Sequence, residues 1–173
     1  MKICIAGANG AFGTKHLDAI DAIDEADVVS VVDVEPDRLA ALANTCGIEH
    51  WTTELEESLA RPEIDAVILA TPTQMHAEQA IKCLQAGKHV LVEIPMADTL
   101  ADAERLIQAQ QKSGLVAMAG HVRRFNPSHQ WIHNRIQAGE LTLQHLEVQT
   151  FFFSRSNLNA IGKPRSWTDH LLW

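Results

Sequence analysis

The sequence predicts an α/β protein: a parallel sheet covered by helices on both faces, with the start of a second domain behind it. Three observations predict this. Short apolar runs alternate with helical patterns of roughly ten to fourteen residues, the grammar of right-handed βαβ units. The first run passes straight into three glycines spaced three apart, Gly7, Gly10 and Gly13, at the mouth of a helix. The alternation stops after His121, where a pair of arginines, an amphipathic helical pattern and a long aromatic run take over.

Taken in order, residues 2–7 read as the first strand and 12–22 as its helix. Residues 27–33 form the second strand, and Pro36 opens a helix at the position proline prefers, with Leu39, Leu42 and Ala43 on its apolar face up to Gly47. Residues 49–51 read as a short third strand and 54–60 as an acidic helical turn. Residues 65–70 are continuously apolar and so a buried strand. Thr71-Pro72-Thr73 breaks that run, with Thr73 as the expected N-cap of a helix over 74–86 that stops at Gly87. A strand over 89–92 ends in Glu93-Ile94-Pro95. A helix over 100–113 and a strand over 116–120 complete the alternation. The ligand crevice of such a sheet lies beyond the carboxyl ends of its strands. Gly7, Asp33, Thr71, Glu93 and His121 all fall at strand ends, so one edge is expected to collect them.

The glycine turn carries the most specific chemistry. A strand, a tight turn and a helix N-terminus are what a pyrophosphate needs, because the helix end offers free N–H groups and partial positive charge. Gly7 can take the dihedrals of the turn, Gly10 leaves room for phosphate, and Gly13 lets helix and strand pack closely. The spacing is Gly-x-x-Gly-x-x-Gly, with Ala8 where the commoner pattern has a glycine. Such a trio also occurs in ordinary turns. What decides here is the preceding strand and Asp33, an acid 20 residues beyond Gly13 that ends the second strand and suits the ribose hydroxyls of a dinucleotide. Gly7, Ala8, Asn9, Gly10, Ala11, Phe12 and Asp33 are therefore the expected cofactor-binding set, in a Rossmann-type domain over residues 1–121.

Composition narrows the function. The chain has 173 residues, 46% of them hydrophobic, and a net charge of −8, which argues against nucleic acid or acidic membranes as partners. No apolar run reaches the ~20 residues of a membrane helix, and the N-terminus does not read as a signal peptide. Cys4, Cys46 and Cys83 are widely spaced, buried-looking thiols that suit a reducing cytoplasm. The chain contains no tyrosine. This excludes the dehydrogenase chemistry in which a Tyr beside a Lys moves the proton.

After His121, residues 122–127 read as a loop with two guanidiniums, 127–138 as an amphipathic helix carrying Trp131, Ile132 and Ile136, and 143–154 as a long strand ending in Phe151-Phe152-Phe153. A lone strand cannot bury such a face, so residues 122–173 are expected to begin a domain that this chain does not complete. Arg123 and Arg124 stand just past a strand end on the ligand side and are expected to clamp substrate carboxylates or the cofactor, or equally pair with surface acids; Arg155 and Arg165 are weaker candidates. His129 and His133 lie four apart on a helix without a third ligand, so no metal site is expected. Trp131 and the phenylalanines read as core or subunit interface.

The glycine turn, Thr71-Pro72-Thr73-Gln74-Met75-His76, Gly87-Lys88-His89-Val90, Glu93-Ile94-Pro95 and Arg124-Phe125-Asn126-Pro127 together resemble the Gfo/Idh/MocA oxidoreductase family. The resemblance spans the chain, and one branch is similar over longer stretches, at 71–81, 92–97, 123–130 and 165–173. It implies a Rossmann half followed by an α+β open-sheet half that pairs into a homo-oligomer. It implies NAD(P), with Thr71, Pro72, Thr73, His76, Glu93 and Ile94 near the cofactor. The branch implies a small dicarboxylate substrate, a cyclic hemiacetal oxidised to 2-pyrone-4,6-dicarboxylate, with Arg123, Arg124, Asn126 and Trp167 on the substrate. The base would come from His170 and Asp169, with His121 behind them, or from beyond Trp173. Two departures stand out. The wider family has Glu-Lys-Pro where this chain has Glu93-Ile94-Pro95. Asp33 favours NAD, whereas the resemblance leans to NADP. A sugar or polyol dehydrogenase and a non-catalytic nucleotide-binding fragment are the alternative readings.

Overall fold

The computed structural model describes residues 1–147, 149, 158 and 164. The chain divides into two units, Met1–Ala119 and Gly120–Trp173. In the first, strands β1 (Lys2–Ala6), β2 (Asp27–Val32), β3 (His50–Thr52), β4 (Ala66–Leu69), β5 (His89–Val92) and β6 (Ala117–Ala119) alternate with helices α1 (Ala11–Ile20), α2 (Pro36–Cys46), α3 (Leu55–Leu59), α4 (Thr73–Gln85) and α5 (Leu100–Ser113). Each expected strand and helix of this unit is present, within one or two residues of its expected ends.

All strand pairs are parallel, in the order β3-β2-β1-β4-β5-β6. The chain winds outward from β1 to β3, then crosses back to lay β4 against the other side of β1. This is the Rossmann order, and the reversal between β1 and β4 opens a crevice at the carboxyl ends of those strands. Side chains alternate across the sheet and build two cores. Ile3, Ile5, Val31 and Ile68 pack with Leu17 and Ile20 of α1 and Leu39 and Ala43 of α2. Cys4, Ala6, Val67, Leu69, Val90 and Val92 pack on the opposite face with residues of α3, α4 and α5, among them Leu59, Leu84 and Leu106. Each fully buried aliphatic side chain stabilises the unit by about 1.5–3 kcal/mol, so the strand ends stand on a firm support.

A buried lysine ties the sheet together below the crevice. Lys88, just before β5, donates from Nζ to the carbonyls of Arg61 and Ile64, each at 2.8 Å, and is only 6% exposed. The ammonium thus satisfies two carbonyls of the turn between α3 and β4. Burial pushes the Cys4 thiol up to about 11 and raises that of Cys83, so neither is a reactive thiolate. Cys46 departs from expectation, being exposed in the last turn of α2.

Thr73 also departs from its expected role. It is the first residue of α4, and Pro72 occupies the N-cap without any side-chain cap bond. Proline forces the residue before it into extended backbone and pre-sets its own φ, so the helix starts directly behind it.

In the second unit, Val122–Phe125 forms a 3-10 turn and α6 spans Pro127–Gln137. Asn126 caps α6, its side-chain oxygen accepting from the N–H groups of Ser128 and His129. The expected apolar face of this helix is not covered among the described residues: Trp131 is 59% and Ile132 43% exposed. The Arg135 guanidinium lies 4.6 Å from the Trp131 ring centroid. Of the expected strand over 143–154, residues 143–147 and 149 carry no strand, and the remainder, Phe151, Phe152 and Phe153 included, lies outside the described residues. A strand needs a neighbouring edge for its backbone groups, and no strand follows β6 among the described residues. None of the described helices is long and apolar enough to cross a membrane.

Candidate functional site

The turn after β1 is shaped by what its glycines lack. Gly7 has φ +79°, and its N–H donates to the Val32 carbonyl at 2.8 Å. A Cβ there would lie 2.5 Å from the Ala70 carbonyl oxygen, and one at Gly13 only 2.1 Å from that of Gly7. These two glycines are demanded by packing, which clamps the turn between the end of β4 and the first turn of α1. Gly10 differs. Its φ is −72°, and a Cβ would come no closer than 3.1 Å to the Gly7 carbonyl oxygen. Its bareness serves whatever approaches from outside.

Gly10 is the N-cap of α1, so no side chain caps this helix end, and its first turn holds no acid. Ala11 and Phe12 open the helix, and the positive end of its dipole is left for an external anion. Asp33, half-buried at the end of β2, accepts from the Asn9 N–H at 2.9 Å and from the Val34 N–H at 2.8 Å. A carboxylate has about four lone-pair sites, so acceptor capacity remains for hydroxyls. Asn9 contributes an orphan: its side-chain Nδ2 is buried without a hydrogen-bond partner. A turn with bare backbone, an uncapped helix end, an acid held at the next strand end and a spare amide donor fit a dinucleotide's pyrophosphate and adenosine ribose.

Sequence reasoning missed Arg38. Its guanidinium donates from Nη2 to the Asn9 carbonyl at 3.1 Å and meets Glu35 at 3.4 Å, which sets a cation on the glycine turn. The available signal was an arginine five residues past the acid, in the first turns of the next helix.

At the ends of β4 and β5 the side chains are braced by one another. The Thr71 hydroxyl donates to Gln79 Oε1 at 2.5 Å. His76 is 2% exposed, with Nδ1 2.7 Å from the Pro95 carbonyl oxygen and Nε2 2.6 Å from that of Thr71, so neither ring nitrogen is free for a ligand. Glu93 is buried, and its Oε1 lies 2.7 Å from Nε2 of His16 on α1. His16 was also missed; its only signal was a polar ring one turn past Gly13. Ile94 is half-buried between these braced residues, and its bond to Pro95 is cis.

In the second unit His121 precedes the 3-10 turn that carries Arg123 and Arg124, and all three are exposed. The Arg123 carbonyl oxygen lies 3.1 Å from His129 Nδ1, and the side-chain oxygen of Asn126 is committed to capping. Trp167, Asp169 and His170 lie outside the described residues, as do Arg155 and Arg165.

Two family models match the chain: the oxidoreductase family with NAD-binding Rossmann fold over residues 1–121, and the bacterial oxidoreductase C-terminal family over residues 127–173. A 4-carboxy-2-hydroxymuconate-6-semialdehyde dehydrogenase of Sphingobium sp. (strain NBRC 103272 / SYK-6) is 60% identical over all 173 residues, which cover 55% of that protein. A myo-inositol 2-dehydrogenase of Thermotoga maritima is 31% identical over 146 residues, 84% of this chain and 43% of its own length. The chain thus spans about half the length of the curated relatives it matches. Among solved structures, a probable dehydrogenase from Thermotoga maritima superposes with TM-score 0.78 at 31% identity, over 80% of this chain and 41% of its own. A scyllo-inositol dehydrogenase from Lactobacillus casei with bound NAD(H) and scyllo-inositol gives 0.77 at 27% identity, over 81% and 42%. With the Rossmann order, the glycine turn and the family match agreeing over residues 1–121, this chain belongs to the Gfo/Idh/MocA family of oxidoreductases.

Proposed function

We propose that this chain carries the nicotinamide-cofactor half of a cytoplasmic dehydrogenase that oxidises the cyclic hemiacetal of 4-carboxy-2-hydroxymuconate-6-semialdehyde to 2-pyrone-4,6-dicarboxylate. The observation that carries the cofactor assignment is the uncapped, acid-free N-terminus of α1 behind a glycine turn tied to Asp33. The substrate assignment is supported by the 60% identity to the semialdehyde dehydrogenase.

The N-terminal N–H groups of α1, with Gly10 bare beside them, hold the pyrophosphate. Asp33 receives the ribose hydroxyls and selects NAD, because its charge repels a 2′-phosphate. Arg38 offsets part of that repulsion, so NADP is admitted with lower affinity. Thr71, Pro72, Glu93 and Ile94 line the strand ends toward the nicotinamide, while His76 acts from behind them. The bound cofactor supplies the hydride acceptor for the hemiacetal C–H. Arg123 and Arg124 hold the substrate carboxylates, assisted by Asn126 and Trp167. Asp169 and His170, with His121 in reserve, take the hydroxyl proton as the lactone carbonyl forms. The complete enzyme assembles as a homo-oligomer through its open sheet. Ile94 supports this reading over that of a sugar or polyol dehydrogenase, since it stands where the wider family has a lysine.

Titration calorimetry of the chain with NAD and then NADP tests the cofactor half, and nicotinamide absorbance with the hemiacetal tests the reaction. Tighter binding of NAD than NADP and turnover of the hemiacetal are expected. Binding without turnover would leave the chain a nucleotide-binding module. Absence of binding would sink the cofactor assignment.

A further inference from the structure

The segment after β5 is held from two sides by two histidines that belong to different helices. His16 of α1 meets the Glu93 side chain at 2.7 Å. His76 of α4 meets the Pro95 carbonyl at 2.7 Å with one ring nitrogen and the Thr71 carbonyl at 2.6 Å with the other. Between the two anchored residues stands Ile94, in the place where the wider family's lysine would be. The three residues therefore have a fixed carboxylate, a fixed carbonyl and one apolar side chain between them.

The bonding inventory makes the arrangement specific. A carbonyl oxygen accepts and never donates, so each of the two short contacts of His76 needs an N–H on the ring. A ring flipped by a half-turn would put carbon atoms at these distances from oxygen, closer than C–H···O contacts come. His16 in turn gives the buried Glu93 carboxylate the donor that its burial requires.

Resting on the cofactor reading above, we propose that His16 and His76 are positioning residues that lock residues 93–95 against the carboxyl ends of β4 and β5. His76 acts as a strap between the Thr71 and Pro95 carbonyls, and His16 couples the segment to α1, the helix assigned to the pyrophosphate. Neither touches the reacting atoms. Their work is to present Ile94 and the Glu93 carboxylate in one fixed arrangement to the nicotinamide end of the cofactor.

The test combines spectroscopy of the free chain with binding by its variants. In NMR of the chain without cofactor, exchange of the Glu93 backbone amide, which donates to the Leu69 carbonyl at 2.9 Å, should be slow. His76→Gln keeps one bond of the strap and should speed that exchange and weaken NAD binding about tenfold; His76→Phe should do both more strongly. His16→Gln retains a donor for Glu93 and should bind NAD within about threefold of wild type, whereas His16→Leu should lose about tenfold. Variants that melt lower while exchange of the Glu93 amide and NAD affinity stay unchanged would overturn the proposal. Should the wild-type chain bind no NAD, the cofactor reading fails, and exchange of the Glu93 amide in wild type and the His76 variants still decides whether the strap exists.

Discussion

Placing a methyl group on each glycine of the turn separates packing from binding. At Gly13 the new Cβ would lie 2.1 Å from the Gly7 carbonyl oxygen, about 1.3 Å inside the 3.4 Å at which ordinary contact begins, and 2.7 Å from Ala8 Cα. Both neighbours are backbone in a turn already anchored to Val32, so α1 must move instead. Overpacking of this kind costs about 3 kcal/mol, against which alanine returns about 1 kcal/mol of helix propensity, leaving about 2 kcal/mol lost. An unfolding entropy of about 2.1 cal/mol/K per residue, over the 119 residues of the first unit, gives about 0.25 kcal/mol/K. Gly13→Ala should therefore melt about 8 °C below wild type. Gly10→Ala meets its nearest neighbour at 3.1 Å and keeps an allowed backbone, so it should melt within about 2 °C of wild type. Its methyl group instead intrudes where the pyrophosphate binds, and NAD affinity should fall at least about tenfold, or 1.4 kcal/mol. Calorimetric melting with and without NAD reads both quantities. If Gly10→Ala melted as low as Gly13→Ala, or bound NAD like wild type, the division of labour between the two glycines would be refuted.

Asp33→Ser should weaken NAD and strengthen NADP, each by about tenfold, while Arg38→Ala should weaken NADP more than NAD; calorimetric titration compares the pairs, and an unchanged preference refutes the selector role. Lys88→Met removes the donor to the Ile64 carbonyl and the shorter of the two bonds to the Arg61 carbonyl, which also accepts from the Ile64 N–H at 3.3 Å, and should cost about 1–3 kcal/mol in denaturant unfolding; a loss below about 0.5 kcal/mol would show the Ile64 carbonyl to be otherwise satisfied. His50 is held below its usual 6.5, chiefly by burial and then by the Arg61 guanidinium, so folding disfavours its charged form. Its contribution is thus present above pH 6.5 and lost as pH falls through the lower folded value, and His50→Gln should flatten that part of the stability profile.

The architecture was legible because its signals are local. Continuous apolar runs at 66–69 and 89–92, Pro36 at a helix start and the glycine trio each act within a few residues, and the topological rules for βαβ units then narrow the sheet to a few orders, of which the structure has β3-β2-β1-β4-β5-β6. Thr73 marks the limit of such reading: a threonine before a helical pattern looks like a cap, yet Pro72 alone sets where the helix begins. The apolar pattern of α6 was legible too, but a pattern states which residues can be covered and not what covers them, so Trp131 remains exposed beneath Arg135.

The braces of the site were not legible for a different reason. His16 and Glu93 are 77 residues apart, and Lys88 reaches carbonyls 27 and 24 residues away. Hydrogen bonds to backbone oxygens leave no complementary residue in the sequence, because every residue offers the same carbonyl. A ligand-facing residue such as Asp33 is recognisable by the chemistry it must perform, whereas a brace is recognisable only by the fold that brings its partner near. His76 illustrates the consequence. Resemblance places it beside the cofactor, but with 2% exposure and both nitrogens committed it can influence that cofactor only through Thr71 and Pro95. Selection on such a residue acts on the position of its neighbours, so substitutions there should disturb binding geometry without removing any contact to the ligand.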